Sequence, residues 1–255
     1  MSVLEVVPST TRFRTLRLMA VVAVIYAALR LAGFHKLFEN DAEGLGVLLA
    51  IIGTLYSVVY AFATYVIWGQ FAGVENEIQK ESGALKDLIL FSKGLKEETR
   101  DPIVRAVRSY ARGVAESEWE ALSRGEGTER TDKLFAEIIQ SVTETKPGDE
   151  SERVIHARLL EIADQASAHR DERLALSAKR IPSTLFVFVT LTAFTIVFLL
   201  FFFPFHNLAL GLVSVAVTAM LMFFANFVLT DLDNPFEGTW NVNNNAFCDL
   251  ATKYR

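Results

Sequence analysis

With 255 residues, a net charge of −5 and a single cysteine, Cys248, the chain cannot hold an internal disulfide and has no polybasic character of the kind that binds nucleic acid. Hydrophobic residues make up 51% of it and Phe alone fills 20 positions, an excess that points to a membrane protein. The length leaves room for one or two domains.

In chain order, "LRLMAVVAVIYAALRLAGF" (16–34) is the first candidate membrane span, weakened by Arg30. The preceding "MSVLEVVPSTTRFRTLR" does not read as a cleaved signal, because Glu5 and Pro8 stand ahead of the basic cluster and no small-residue cleavage site follows. No charge lies between Glu43 and Glu75. Since a helical span needs about 20 apolar residues, that gap holds a second span near 45–70. A second charge-free tract, from Arg180 to Asp231, holds two more, near 183–203 and 208–230, hinged at "FPFHNL". Four spans are expected.

Lys and Arg near span ends set orientation. Arg12, Arg14 and Arg17 precede the first span, and Lys80, Lys86, Lys179 and Arg180 border the long middle segment. The connection "HKLFENDAEG" holds one Lys against three acids, and the later connection has no charge. Both termini and the middle segment are therefore expected on the cytoplasmic side of the cell inner membrane. The division that follows is 1–74 for spans one and two, 75–180 for a cytoplasmic helical domain, 181–230 for spans three and four, and 231–255 for a cytoplasmic C-terminal segment.

Mixed charge fills the middle segment, with acids slightly outnumbering bases. No breaker separates it from span two, whose helix should run on into the cytoplasm. Asp101-Pro102 marks the next helix start, with Asp as cap and Pro at the first helical position, and the helix should reach about Leu122. Others are expected from Glu129 to Thr143 and, after "TKPGD", through "ESERVIHARLLEIADQASAHRDERLALSAKR" to Pro182. An amphipathic helix must bury its stripe. A self-contained bundle and one completed by neighbouring copies both remain open.

Nothing matches a phosphate loop or a dinucleotide fingerprint. His156 and His169 are thirteen residues apart and do not form a ligand pair, and there is no Cys cluster. An enzyme is not expected.

Arg30, the one charge inside a span, lies close enough to the outer boundary to snorkel; the alternative is an anion-attracting outer vestibule. Tyr56, Tyr60, Tyr65, Thr54, Ser57 and Thr64 give span two a polar density that suits contact with water or another helix. Thr190 and Thr192 suit helix packing.

After the last span comes "DLDNPFEGTWNVNNNAF" (231–247). Pro235 drives Asn234 out of helical geometry. Asp231, Asp233 and Glu237 supply the hard oxygens Ca²⁺ prefers, though not at EF-hand spacing. The plainer reading is an interfacial helix stop with Trp240 at headgroup level. Asn234, Pro235, Phe236 and Trp240 would form its rigid elbow.

"NPFEG", followed by Trp240, Val242 and Asn243–Asn245, resembles the turn after the fourth span of bestrophin anion channels. "YVIWGQF" at the end of span two is similar to that family's Trp-x-Gln close. "SYARGVAESEW" in the middle segment and "LDNPFEG" at 232–238 resemble a prokaryotic bestrophin-like group of unknown function. The resemblance covers about 45–250.

That resemblance implies an all-helical integral membrane protein forming a homo-oligomer, a pentamer, in which the second span lines a central pore. Counting helical turns back from Trp68-Gly69-Gln70 gives a pore stripe of Ala50, Thr54, Val58 and Phe62. It also implies Ca²⁺ at an acidic cluster after the fourth span. The consecutive acids of the family are missing here, and only Asp231, Asp233 and Glu237 remain. The aromatic constriction of bestrophins is not matched at Thr54 or Val58 either, so a softer hydrophobic gate is expected. Inorganic ions and membrane lipid are the implied partners, with anions favoured by resemblance alone. The alternative function is a non-conducting membrane scaffold or signalling protein whose cytoplasmic helices bind a partner.

Overall fold

The computed structural model describes residues 9–253, and among these no strand occurs. Nine α-helices follow in order: α1 (Ser9–Leu31), α2 (Ala42–Ser92), α3 (Glu97–Gly113), α4 (Trp119–Ser123), α5 (Glu129–Thr143), α6 (Glu150–Ser177), α7 (Ser183–Phe202), α8 (Leu208–Leu232) and α9 (Asn245–Lys253). A 3-10 segment (Phe34–Asp41) joins α1 to α2, and a π-helical turn (Val114–Glu118) joins α3 to α4. The chain divides into two compact units, one of residues 1–68 and 181–233, the other of residues 69–180 and 234–255.

Among the described residues, the stretches long and apolar enough to cross a membrane are Phe38–Ser92, which begins in the first unit and runs into the second, and Ser183–Phe202 and Leu208–Leu232 of the first. The expected count of four spans is thus met by three among the described residues. Helix α1 falls short because Arg14, Arg17 and Arg30 lie along its apolar run. It still belongs to this unit: Val22 and Tyr26 are buried with Val215 and Ala219 of α8. Gly211 makes that approach feasible, since a Cβ there would lie 1.9 Å from the Tyr26 hydroxyl oxygen. The α7–α8 hinge falls where expected. Asn207 caps α8 by accepting the Ala209 N–H at 2.8 Å, and α7 starts directly after Pro182.

The second unit has its own core. Val74, Ile78, Leu85 and Leu88 of α2 are buried with Ile103, Val107 and Tyr110 of α3, Ile138 of α5 and Leu159 and Ile162 of α6. The spacings of three and four residues place each set on one helical face, and burial of each large apolar side chain stabilises the fold by about 1.5–3 kcal/mol. Asp149 caps α6 by accepting the Glu152 N–H at 2.9 Å. The Glu152 carboxylate in turn accepts the Gly148 N–H at 2.6 Å, a reciprocal arrangement of the capping-box type.

Helix α2 runs unbroken for 51 residues, as the absence of a breaker predicts. The start of α3 differs from expectation: it begins at Glu97, with Lys96 at the cap, and Pro102 sits inside. Glu97 and Glu98 occupy the first turn, where the helix dipole favours negative charge. Pro102 forfeits one backbone bond to the Glu98 carbonyl, and exposed Glu98 leaves that oxygen to water. A local gain at the N-terminus outweighs the positional preference of proline.

Candidate functional site

The stripe Ala50, Thr54, Val58 and Phe62 is exposed along α2, Val58 at 63% and Phe62 at 59%. Tyr56, Ala63 and Ile67, by contrast, are buried with Val189, Ala193 and Ile196 of α7 and Leu229 of α8. At about 100° per residue, the exposed stripe is centred opposite the buried set. The helix turns one side to its own unit and the predicted side away from it. The hydroxyls of Thr54, Ser57 and Thr64 donate to the carbonyls of Ala50, Gly53 and Tyr60, at 2.8, 2.8 and 2.9 Å. Those i−4 bonds satisfy the hydroxyls within the helix. Tyr60 reaches across to the Ala225 carbonyl at 3.2 Å and stacks on Tyr56. Thr54, Ser57 and Thr64 thus bond within the helix and Tyr60 bonds to α8, while the buried Tyr56 hydroxyl has no hydrogen-bond partner among the described residues. Tyr65 remains exposed.

Arg30 does not turn its guanidinium outward. It donates to the Phe205 carbonyl in the α7–α8 connection, and its Nη1 has no hydrogen-bond partner among the described residues. The Thr190 hydroxyl donates to Asn226 Oδ1 at 3.1 Å, the helix–helix contact expected of that residue.

The stretch after α8 is built from its amide groups. Asn234 Oδ1 accepts the Phe236 N–H at 3.3 Å, and the Glu237 N–H closes a turn onto the Asn234 carbonyl at 3.2 Å. Gly238 takes φ +90°, a conformation that suits glycine. The Val242 N–H then returns to the Pro235 carbonyl at 2.8 Å. Three side-chain bonds fasten this loop to the π-turn region. Asn234 Nδ2 donates to the Ser123 carbonyl at 2.7 Å, Trp119 Nε1 to the Val242 carbonyl at 3.2 Å, and Asn244 Nδ2 to the Ala115 carbonyl at 3.1 Å. Trp119 also meets Phe236 and Phe247 edge-on, with ring centroids 5.2 and 6.1 Å apart. The two motifs that carry the sequence resemblance, "SYARGVAESEW" and "NPFEG", therefore bind one another. The elbow residues Asn234, Pro235 and Phe236 are held by these contacts, whereas Trp240 stays 47% exposed.

Beside this clasp lies a buried ionic cluster that the sequence does not announce. Arg173, Glu81, Glu118 and Tyr110 are each fully buried. Arg173 Nε donates to Glu81 at 2.6 Å, and its Nη1 stands 2.7 Å from a Glu118 carboxylate oxygen, too oblique for a hydrogen bond but close enough for an ion pair. The Tyr110 hydroxyl donates to Glu81 at 2.5 Å. Burial, reinforced by the Glu81 charge, raises the Tyr110 pKa well above its ordinary value. Burial alone would lower that of Arg173, yet Glu81, Tyr110 and Glu118 together raise it well above the usual. Tyrosine and arginine therefore both stay protonated near neutral pH. The Phe247 ring lies 5.5 Å from the Arg173 guanidinium, which joins the cluster to α9. Tyr110 and Glu118 fall within the recognised motif, whereas nothing local marks Glu81 or Arg173.

The carboxylates read as calcium ligands serve other bonds. Asp233 accepts the Ile181 N–H at 2.8 Å, and Glu237 accepts from Asn234 at 3.3 Å. Among the described residues, no group of three or more His, Cys, Asp or Glu side chains is placed to hold a metal ion. Asp231, Asp233 and Glu237 form no such group by themselves.

An all-helical protein with long apolar helices, a helical bundle and an Asn-Pro-Phe clasp defines a class of membrane protein. A model of the bestrophin-like domain matches residues 16–247, and the chain belongs to that family. Its fold is similar to a mutant of a bacterial bestrophin homolog from Klebsiella pneumoniae, at TM-score 0.74 and 12% identity over 96% of this chain and 97% of the other. A second structure of that homolog, solved by zinc anomalous phasing, gives TM-score 0.72 and 11% identity over 94% and 95%. No curated protein matches the sequence.

Proposed function

We propose that copies of this chain assemble as a symmetric ring, a pentamer, around an axis lined by the apolar part of α2, and that the ring passes inorganic ions. The observation that carries the reading is the stripe Ala50, Thr54, Val58 and Phe62, exposed on the side of α2 opposite the one its own unit covers. Its hydroxyl is bonded back into the helix, so Val58 and Phe62 would present a ring of hydrocarbon that closes by dewetting. The stripe holds no charge. Preference for anions rests on family likeness and is proposed with it, as are cytoplasmic termini, a cytoplasmic bundle and an inner-membrane location. The chain is read as a conductor, not an enzyme.

Purified protein in a planar bilayer tests this. Ion currents that change in Phe62→Ala or Val58→Ala, together with a multimeric mass in detergent, are expected. A monomer, or a bilayer silent under varied pH, would replace this reading with the scaffold whose cytoplasmic helices bind a partner.

A further inference from the structure

A groove of about 370 Å³ opens in the first unit between α1, α7 and α8. Its walls are apolar, among them Leu18, Val22, Phe194 and Met222, with Thr190 and Asn226 as the polar members. Along α7 it extends from Phe186 to Val197, about 16 Å at 1.5 Å per residue. One leaflet of a bilayer is about 15 Å deep, half of a ~30 Å hydrocarbon core. The groove therefore has the length of one leaflet.

Its position along the helices selects the leaflet. Leu18 and Phe186 mark the end where α1 and α7 begin, and Asn226 is six residues from the end of α8. Arg14 stands one helical turn before Leu18, in line with the groove wall, and Arg17 is adjacent. Both are exposed, and neither pairs with an acid among the described residues. Asp233, at the end of α8, is engaged by the Ile181 N–H. Arg14 and Arg17 thus stand at one end of a hydrocarbon interior, with Asp231 and Asp233 at the end of α8 as the nearby acids on that helix.

We propose that this groove binds one acyl chain of an anionic phospholipid, with its phosphate held by Arg14 and Arg17. Asn226 spends one amide proton on the Met222 carbonyl at 3.0 Å, and the other is left to donate to an ester carbonyl. The length and volume of the groove suit a single acyl chain, whereas a neighbouring helix, ~10 Å in diameter, could lay only one face along it. The site requires only that α7 and α8 sit in lipid, so it stands whether or not the protein conducts.

Native mass spectrometry of the detergent-solubilised protein, with dioleoyl phosphatidylglycerol or dioleoyl phosphatidylcholine added, tests the proposal. Each arginine at a membrane surface favours an anionic lipid about fivefold, so the two together predict a preference of roughly 30-fold. Arg14→Gln with Arg17→Gln should bring the two lipids to parity, and Thr190→Trp, which fills the groove, should abolish retention of both. For a readout that does not depend on the filled variant folding, Phe194→Trp places a fluorophore at the rim. Its emission should be quenched by phosphatidylglycerol brominated along the acyl chains. Equal retention of the two lipids by the unaltered protein would overturn the proposal. So would emission indifferent to brominated lipid, or phosphatidylglycerol carried by single chains but expelled on assembly, which would assign the groove to a neighbouring copy.

Discussion

Replacing Arg173 with Met should cost more than any other single exchange in the bundle. The guanidinium is fully buried and lies within 2.7 Å of two carboxylates, Glu81 and Glu118, which are fully buried themselves. Methionine fills much of the same volume but leaves two negative charges with no counter-ion beside them. Removing one partner of a buried pair costs about 3–5 kcal/mol. For a chain of this size, each kcal/mol moves the melting temperature about 2–4 °C, so a fall of about 6–20 °C is expected. The assay is thermal unfolding in detergent followed by far-UV circular dichroism. Arg153→Met is the control, because its pair with Glu150 is exposed and worth about 0–1 kcal/mol. Adding Glu81→Leu and Glu118→Leu to Arg173→Met should restore most of the loss, apart from about 1–3 kcal/mol for the Tyr110 hydroxyl left without an acceptor. If Arg173→Met melts within about 2 °C of the unaltered protein, the cluster is not the rivet described here.

Gly211→Ala should loosen α1 from α8, because the new Cβ would overlap the Tyr26 hydroxyl. Overpacking of this kind costs about 1–3 kcal/mol, and adding Tyr26→Leu should recover it, both read as melting temperatures. Glu77 gives an acid limb. Burial pushes its carboxyl up, but hydrogen bonds and charge from Lys80 and His169 outweigh that and hold it below its ordinary 4.5. A depressed carboxyl contributes stability above its unfolded value and loses it as pH falls through the folded one. Melting temperature should therefore drop below about pH 4.5, and Glu77→Gln should lack that part of the decline while melting lower at neutral pH. Since Asp233 is engaged by the Ile181 N–H, calcium and EDTA should give the same melting curve; a calcium-dependent rise abolished by Asp233→Asn would assign it to a metal site.

Most helices were legible because their ends carry chemistry. Asn207 and Asp149 sit at caps, Pro182 stands ahead of α7, and Glu129 and Thr143 bound α5 as expected. Charge-free tracts located α7, α8 and the apolar part of α2. The exposed side of α2 was legible through helical period alone, although period does not say what covers that side. Other features left no local mark. The π-turn at Val114–Glu118 shares its composition with an ordinary helix, and its displaced Ala115 carbonyl matters only because Asn244 takes it up from 129 residues away. Glu81 and Arg173 look like any solvated helical charges until the fold brings them together across 92 residues. α9 follows the Asn-rich run, which reads as loop. Its start is held by the Asn245 N–H on the Asn243 side chain and by burial of Phe247, and burial depends on tertiary packing.

The claim that the bare side of α2 faces an ion path is tested most directly at Phe62. Phe62→Cys in a background carrying Cys248→Ser, which removes the exposed native thiol, would be reconstituted in a planar bilayer and treated with a charged thiol reagent. A current blocked on modification, with none blocked in Cys248→Ser alone, is the predicted result. Complete modification that leaves the current unchanged would place Phe62 away from the ion path and contradict the account.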